Sequence, residues 1–191
     1  MRIIAGECRG RTLRAPPGQT TRPTADRVRQ ALFDTLAHAP WAGADTLRGA
    51  RVMDGFAGTG ALGLEALSRG AASAVFVERD RAALRALREN IATCGMGDRA
   101  LVRAMDMLRL PPRGAAGPVD MVFLDPPYNQ DLPARALAVL ERGGWLHPAT
   151  LVVVETGAGE PAPVTPDRLV LERRHGAACL YAWRHGPDDA A

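Results

Sequence analysis

From residue 51 onward the chain switches repeatedly between two hydrophobic spacings. Short, mostly apolar runs at 51–54, 74–78, 100–104, 119–124 and 150–155 have the length and composition of buried strands. Between them, apolar positions recur every three or four residues over 60–69, 81–93 and 132–142, the period of an amphipathic helix. In 81–93, Leu84, Leu87 and Ile91 share one face while Arg81, Arg85 and Arg88 share another. Gly70 is placed to close the first of these helices. Strands alternating with helices predict a parallel sheet covered on both faces. Two last strands, 169–173 and 178–183, flank His175-Gly176 and predict an antiparallel hairpin joined to that sheet, making seven strands. Upstream, 1–5 and 11–14 are extended pieces around Gly6 and Arg9-Gly10, either a small hairpin or two edge strands. A helix follows with Thr24 as its N-cap and Val28, Ala31, Leu32 and Leu36 at helical spacing. The expected organisation is a single domain over 1–191, with 1–37 as an N-terminal extension.

Charge sharpens this division. All 24 basic residues are arginine. Residues 1–30 hold seven of them (positions 2, 9, 11, 14, 22, 27 and 29) against Glu7 and Asp26, a local excess of five, whereas the whole chain carries only +3. Arginine makes bidentate phosphate contacts and stacks on bases, so this excess points to a polyanionic partner, with a merely solvated arm as the plainer reading. Cys8, Cys94 and Cys179 form no C-x-x-C pair and read as reduced packing residues. Four dispersed histidines complete a set in which no metal site is expected. No apolar run approaches the roughly 18 residues of a membrane span, and the N-terminus lacks the apolar core of a secretory signal. A cytoplasmic monomer is the default expectation.

Candidate chemistry collects at the ends of the strands. Asp54-Gly55-Phe56-Ala57-Gly58-Thr59-Gly60 follows the first strand, and Gly58, Gly60 and Gly63 satisfy G-x-G-x-x-G. Glu78 ends the next strand, where an acid grips ribose hydroxyls. That spacing alone also fits a nicotinamide dinucleotide. Asp54 favours another ligand: its carboxylate is unwelcome beside a pyrophosphate but suits the ammonium of S-adenosylmethionine, whose ribose would reach Glu78. Asp106 is placed either to accept from an adenine amino group or to cap a helix at Met107-Leu108. The fourth strand stops on Asp125-Pro126-Pro127-Tyr128. Ligands of open α/β sheets bind beyond the C-terminal strand ends, so Asp54, Glu78, Asp106 and Asp125 are expected on one rim. The prolines hold the turn rigid, Asp125 and the Pro126 carbonyl offer acceptors to the two hydrogens of an exocyclic amine, and Tyr128 offers a face to a planar ring. With the amine fixed in line with a methyl sulfonium, catalysis is mostly positioning and electrostatic matching.

Asp125-Pro126-Pro127-Tyr128 resembles the (D/N)-P-P-(Y/F/W) signature of amino-methyltransferases. Together with blocks at 1–6, 9–11, 22–24, 27–33, 56–71 and 124–128, it makes nearly the whole chain resemble the RsmD family of bacterial rRNA methyltransferases. The resemblance implies a Rossmann-like class I S-adenosylmethionine-dependent methyltransferase fold of α/β class. It implies methyl transfer to the N2 amine of a guanine in 16S rRNA of the small ribosomal subunit. It further implies cofactor contacts at Asp54, Phe56, Gly58, Gly60, Glu78 and Asp106, catalytic contacts at Asp125, Pro126 and Tyr128, and RNA contacts at Arg9, Arg11 and Arg22. Two departures stand out: Gly55 replaces a bulky apolar residue and Met107 a small one. An adenine-N6 or cytosine-N4 methyltransferase acting on RNA or DNA shares the Asp-Pro-Pro-Tyr chemistry, although the chain has no large insertion to serve as a DNA-recognition domain. A nicotinamide-dependent oxidoreductase leaves that tetrapeptide and the basic arm unexplained. A non-enzymatic RNA-binding module leaves intact Asp54, Glu78 and Asp125 unexplained.

Overall fold

A computed structural model describes residues 1–16, 23–43 and 45–186. Seven strands, β1 (Arg51–Asp54), β2 (Ser73–Glu78), β3 (Ala100–Ala104), β4 (Met121–Leu124), β5 (Leu151–Gly157), β6 (Leu171–His175) and β7 (Ala178–Arg184), form one sheet in the order β3-β2-β1-β4-β5-β7-β6. The first five run parallel, and β7 pairs antiparallel with both β5 and β6. The α/β sheet and its antiparallel C-terminal strand are those expected from the hydrophobic pattern. Strand order reverses at β1, between β2 and β4, and this is where a ligand crevice opens in such sheets.

The central strands alternate their side chains between two cores. Val52, Phe76, Phe123 and Val153 point to one face, where they meet Leu32, Phe33 and Leu36 of α1 (Pro23–His38), Leu64 and Leu67 of α2 (Ala61–Ser68), and Leu84 and Leu87 of α3 (Arg81–Thr93). Met53, Val77, Val122, Val152 and Val154 point to the other, packed by Leu137 and Leu140 of α4 (Leu132–Arg142) and by Trp145 and Trp183. All four residues of β4 are buried, as for a strand covered on both faces. Local signals set the helix ends: Asp80 caps α3 by accepting from Ala82 and Ala83 N–H at 2.9 and 2.8 Å.

The N-terminal residues fold back on themselves rather than joining the sheet. Arg2 bridges Thr12, Ile3 N–H donates to the Arg11 carbonyl at 2.9 Å, and Leu13 N–H donates to the Met1 carbonyl at 2.9 Å. This resolves the hairpin-or-edge alternative in favour of a hairpin. It is bolted to the domain by polar side chains buried beneath it. The fully buried Glu65 accepts from Ile4 and Ala5 N–H at 2.8 and 3.1 Å and from Arg69 Nε at 2.8 Å. Ser68 Oγ accepts from Cys8 N–H and donates to the Ala5 carbonyl, while Asn90 both accepts from and donates to the Arg14 backbone. At Gly6, φ is +80° and a Cβ would lie 1.7 Å from the Ser68 carbonyl oxygen, so only glycine allows this approach.

Some boundaries move. α1 begins at Pro23 and contains Thr24, which is therefore inside the helix rather than its cap; proline is well suited to a first turn because it has no N–H to leave unpaired. β4 starts at Met121, and Val119 N–H, two residues earlier, is taken outside the sheet by the Trp145 carbonyl. A 3₁₀ turn at Pro166–Arg168 delays β6 to Leu171.

Candidate active site

The C-terminal ends of β1 to β4 bring the expected acids to one rim, but their side chains are engaged differently. Asp54 is buried and its Oδ2 accepts from Gly63 N–H at 2.9 Å, which ties the strand end to the first turn of α2. Burial, reinforced by the charge of Glu78 and only partly offset by the Gly63 bond, pushes its carboxyl up to about 7. Glu78 organises the glycine loop: Oε2 accepts from Gly58 N–H at 2.8 Å, and Oε1 accepts from Arg79 and Asp80 N–H at 2.7 and 2.6 Å. Gly58 has φ of +54°, and a Cβ there would meet nothing closer than 4.0 Å, so the turn itself, rather than crowding, calls for glycine. Asp106 takes the capping role: Oδ1 accepts from Leu108 N–H and Oδ2 pairs with Arg79 Nη1, both at 2.9 Å. The Leu108 bond and the Arg79 charge hold its carboxyl below the ordinary carboxylate range.

Two cavities meet at this rim. The first, about 580 Å³, is bordered by Phe56, Gly58, Glu78, Asp106, Pro126 and Met107, among others. The second, about 540 Å³, runs from Asp54 under the N-terminal hairpin to β5 and the β6–β7 turn. Phe56, Gly58, Asp125 and Tyr128 border both, so the Asp-Pro-Pro-Tyr turn stands at their junction. Asp54 borders only the second cavity. Gly60 borders neither: it starts α2 with φ of +81°, where a Cβ would lie 2.4 Å from Leu87 Cδ1.

Asp125 is exposed where it opens into both cavities, while protein atoms surround its carboxyl on the other sides. Desolvation raises its carboxyl well above the ordinary range, to about 7, with the charges of Glu155 and Asp54 adding to the rise. Among the described residues it has no hydrogen-bond donor. Tyr128 is 37% exposed and its hydroxyl donates to Glu155 Oε1. Glu160 accepts from Asn129 and Gly157 N–H at 2.7 and 3.0 Å, clamping the turn to the end of β5. Asn129 and Asp131 take left-handed φ of 61° and 51°, so the segment after the prolines is conformationally constrained.

Three participants were not singled out from the sequence. Glu155 is an acid at the C-terminal end of the apolar run Leu151-Val152-Val153-Val154, and the strand-end rule that picked out Asp125 applies to it equally. His175 borders the second cavity, and its buried Nε2 has no hydrogen-bond partner among the described residues. Arg29 is 5% exposed in the same wall, with Nη2 donating to Asp26 Oδ1 at 3.1 Å and to the Arg2 carbonyl. Of the RNA-contacting candidates, Arg9 joins Arg2 and Arg27 around a third cavity of about 560 Å³ in which Asp26 is the one acid. Arg11 is exposed on the same hairpin outside that cavity, and Arg22 lies outside the described residues. The two departures at Gly55 and Met107 are neighbours: a Cβ on Gly55 would lie 3.4 Å from Met107 Sδ and 2.5 Å from Leu124 Cδ2. The larger residue on one side occupies the room left by the smaller on the other.

A seven-stranded sheet with this order, an open rim carrying a glycine loop and acids, and a two-chambered cleft define a class I S-adenosylmethionine-dependent methyltransferase. The fold matches that of an RNA methyltransferase from Salinibacter ruber solved with S-adenosyl-L-homocysteine, at a TM-score of 0.61 over 91% of this chain and 99% of that one, with 19% identity. Within the class, residues 1–184 match the family model described as Conserved hypothetical protein 95, and the chain belongs to that family, the RsmD family. It is 40% identical over 173 residues to Ribosomal RNA small subunit methyltransferase D of Escherichia coli, covering 91% of this chain and 83% of the relative. The Haemophilus influenzae protein of the same name is 37% identical over 175 residues, covering 90% and 86%. Among solved structures, the yhhF protein of Escherichia coli superposes with a TM-score of 0.81 at 38% identity, covering 97% of this chain and 98% of that one.

The first cavity fits the cofactor of this class. It lies in the range of about 300–1,000 Å³ usual for such ligands, its floor is the open side of Gly58, and Glu78 and Asp106 stand at its edge with carboxylate oxygens fixed by the backbone.

Proposed function

We propose that the chain methylates small-subunit rRNA, transferring a methyl group from S-adenosylmethionine to the N2 amine of a guanine. The observation that carries this reading is the position of Asp125-Pro126-Pro127-Tyr128 at the junction of two cavities, one fitted to the cofactor and one open to a base. The cofactor supplies an electrophilic methyl group. What remains is for the protein to aim a weak nucleophile, because the lone pair of an exocyclic amine is delocalised into its ring. Asp125 accepts one amino hydrogen and the Pro126 carbonyl accepts the other, which turns the lone pair toward the first cavity. The rigid turn fixes both acceptors before the base arrives, so little reorganisation is needed during the reaction. Once the amine is alkylated it sheds a proton easily, and ionised Asp125 is the adjacent acceptor.

Reaching this site requires the target nucleotide to leave its stack. Tyr128, exposed at the cavity mouth and anchored through its hydroxyl to Glu155, gives the extruded ring a flat face to rest on. The arginines around the third cavity and on the hairpin supply phosphate contacts, which dominate nucleic-acid affinity. Arg9 and Arg11 are assigned to this surface, and Arg22, outside the described residues, is proposed as an RNA contact from the family resemblance alone. The names of the family members in Escherichia coli and Haemophilus influenzae support ribosomal RNA of the small subunit as the substrate.

The test is to map modified nucleotides by mass spectrometry in small-subunit rRNA from cells with and without the protein. One N2-methylguanosine present only with the protein is expected. An unchanged guanine map contradicts the proposal.

A further inference from the structure

The base cavity contains a carboxylate whose one task in the methyl-transfer geometry is to anchor Tyr128. Glu155 lies at the C-terminal end of β5 and borders the same cavity as Asp125. Among the described residues its one hydrogen-bond donor is the Tyr128 hydroxyl, which occupies Oε1 and leaves Oε2 open. Two carboxylates side by side in one cavity, one half-buried and one exposed, leave a row of acceptor positions open to whatever enters it. The arrangement is explained if the ligand brings a row of N–H groups.

The bases differ in just this respect. In adenine and cytosine, the ring nitrogen next to the exocyclic amine bears a lone pair and is an acceptor. In guanine, the N2 amine stands beside N1–H, so its edge presents three N–H bonds in succession. A carboxylate next to the amine-holding acceptors therefore bonds to guanine and faces an opposing lone pair in adenine or cytosine. We infer that Glu155 is the specificity residue of this site: while Asp125 and the Pro126 carbonyl hold the N2 amine, Glu155 accepts the N1–H and so admits guanine. Tyr128 serves twice, as a platform for the ring and as the donor that orients Glu155. The inference rests on the guanine-N2 reading above and adds the residue that enforces it.

A base analogue paired with a Glu155 variant probes this contact. 2-Aminopurine keeps the reactive 2-amino group but has an acceptor at N1 in place of N1–H and lacks the O6 carbonyl, so the change of preference in a Glu155 variant, more than the preference itself, reads the N1 contact. Small-subunit rRNA carrying guanosine or 2-aminopurine riboside at the modified position is incubated with the wild-type chain and with Glu155→Gln, and kcat/KM is compared. The wild type is expected to prefer guanosine by at least about a hundredfold, since a site built to pair a polar hydrogen rejects an analogue lacking it. Glu155→Gln, whose amide can donate to the analogue's N1, is expected to reduce that preference by at least about tenfold, with S-adenosylhomocysteine affinity by calorimetry unchanged. A general loss of packing lowers both rates together and leaves the ratio alone. Equal turnover of the two RNAs by the wild type, a result that needs no variant, overturns the inference, as does an undiminished preference in Glu155→Gln. Methylation of an adenine or cytosine, with none on the guanosine RNA, overturns the guanine reading itself and is thereby distinguished from failure of Glu155 alone.

Discussion

Six carboxylates, under the hairpin and around the cleft, fall into two sets that differ in what fills their lone pairs. Glu65, Glu78, Asp54 and Asp106 accept hydrogen bonds from the chain's own backbone, and Glu65 and Asp106 also pair with arginines. Asp125 has no donor among the described residues, and Glu155 has a single tyrosine hydroxyl. The first set frames the site: Glu65 seats the hairpin, Asp54 and Glu78 shape the glycine loop, and Asp106 sets the turn after β3, with Glu78 and Asp106 doing so at the edge of the first cavity. The second set stands at the second cavity with acceptor capacity to spare. A strand-end acid that lines a cavity with bonding capacity to spare is thus placed to meet the reacting group, while one held by backbone N–H groups still has a lone pair to offer a bound cofactor.

This division leads to effects of graded size. Asp125→Ala removes an acceptor used only with substrate bound, so methyl transfer should fall by about 10²- to 10³-fold or more, while thermal stability and S-adenosylhomocysteine affinity stay near wild type. Retained turnover would place Asp125 in the framing set. Glu65→Ala strips the partner from Arg69 and from two backbone N–H groups in a fully buried position. Urea unfolding should show a loss of about 3–5 kcal/mol, and an unperturbed midpoint would mean that the hairpin is held by its apolar contacts alone.

The pH dependence sharpens the same contrast. Asp125 is raised to about 7 by desolvation and neighbouring charge, so below that pH it is mostly protonated, a weaker acceptor for the amine and unable to take its proton. The kcat/KM for methyl transfer should therefore rise with pH to a plateau above about 7 and fall by about tenfold for each unit below. Asp125→Asn should flatten this limb at a reduced rate. A profile already flat at pH 5.5 in the wild type would exclude the titration. The smallest effect concerns the cofactor wall. Gly55→Leu alone should cost about 1–3 kcal/mol through overlap with Leu124 and Met107. Combined with Met107→Ala it should recover at least about 0.5 kcal/mol by double-mutant cycle, whereas strict additivity would show that the two positions are not coupled.

Much of the framework was legible in the sequence because local and global signals agree there. β1, α3, β3 and α4 have the bounds expected from their hydrophobic spacing; α3 is capped by Asp80, and α4 has Pro133 in its first turn. Strand-end placement was enough to bring Asp54, Glu78, Asp106 and Asp125 to one rim. What each carboxyl does there was not legible, since it depends on contacts made across long separations. The Glu65 clamp joins residues 61 apart in the chain, and the Tyr128–Glu155 bond joins residues 27 apart. For Asp106 the capping bond is local, so the sequence offered it as one of two readings, and the Arg79 pair that completes its bonding came from the fold. The departures at Gly55 and Met107 looked independent because 52 positions separate them, yet they share one piece of cavity wall.

The central claim is that the donor-free acid at the cavity junction holds the N2 amine of a guanine for methylation. It is tested most directly by incubating the purified chain and isotope-labelled S-adenosylmethionine with small ribosomal subunits from cells lacking the protein, then digesting the rRNA to nucleosides. The expected result is label in N2-methylguanosine with the wild type and none with Asp125→Ala. Label in N6-methyladenosine or N4-methylcytidine, or equal labelling by the variant, would contradict it.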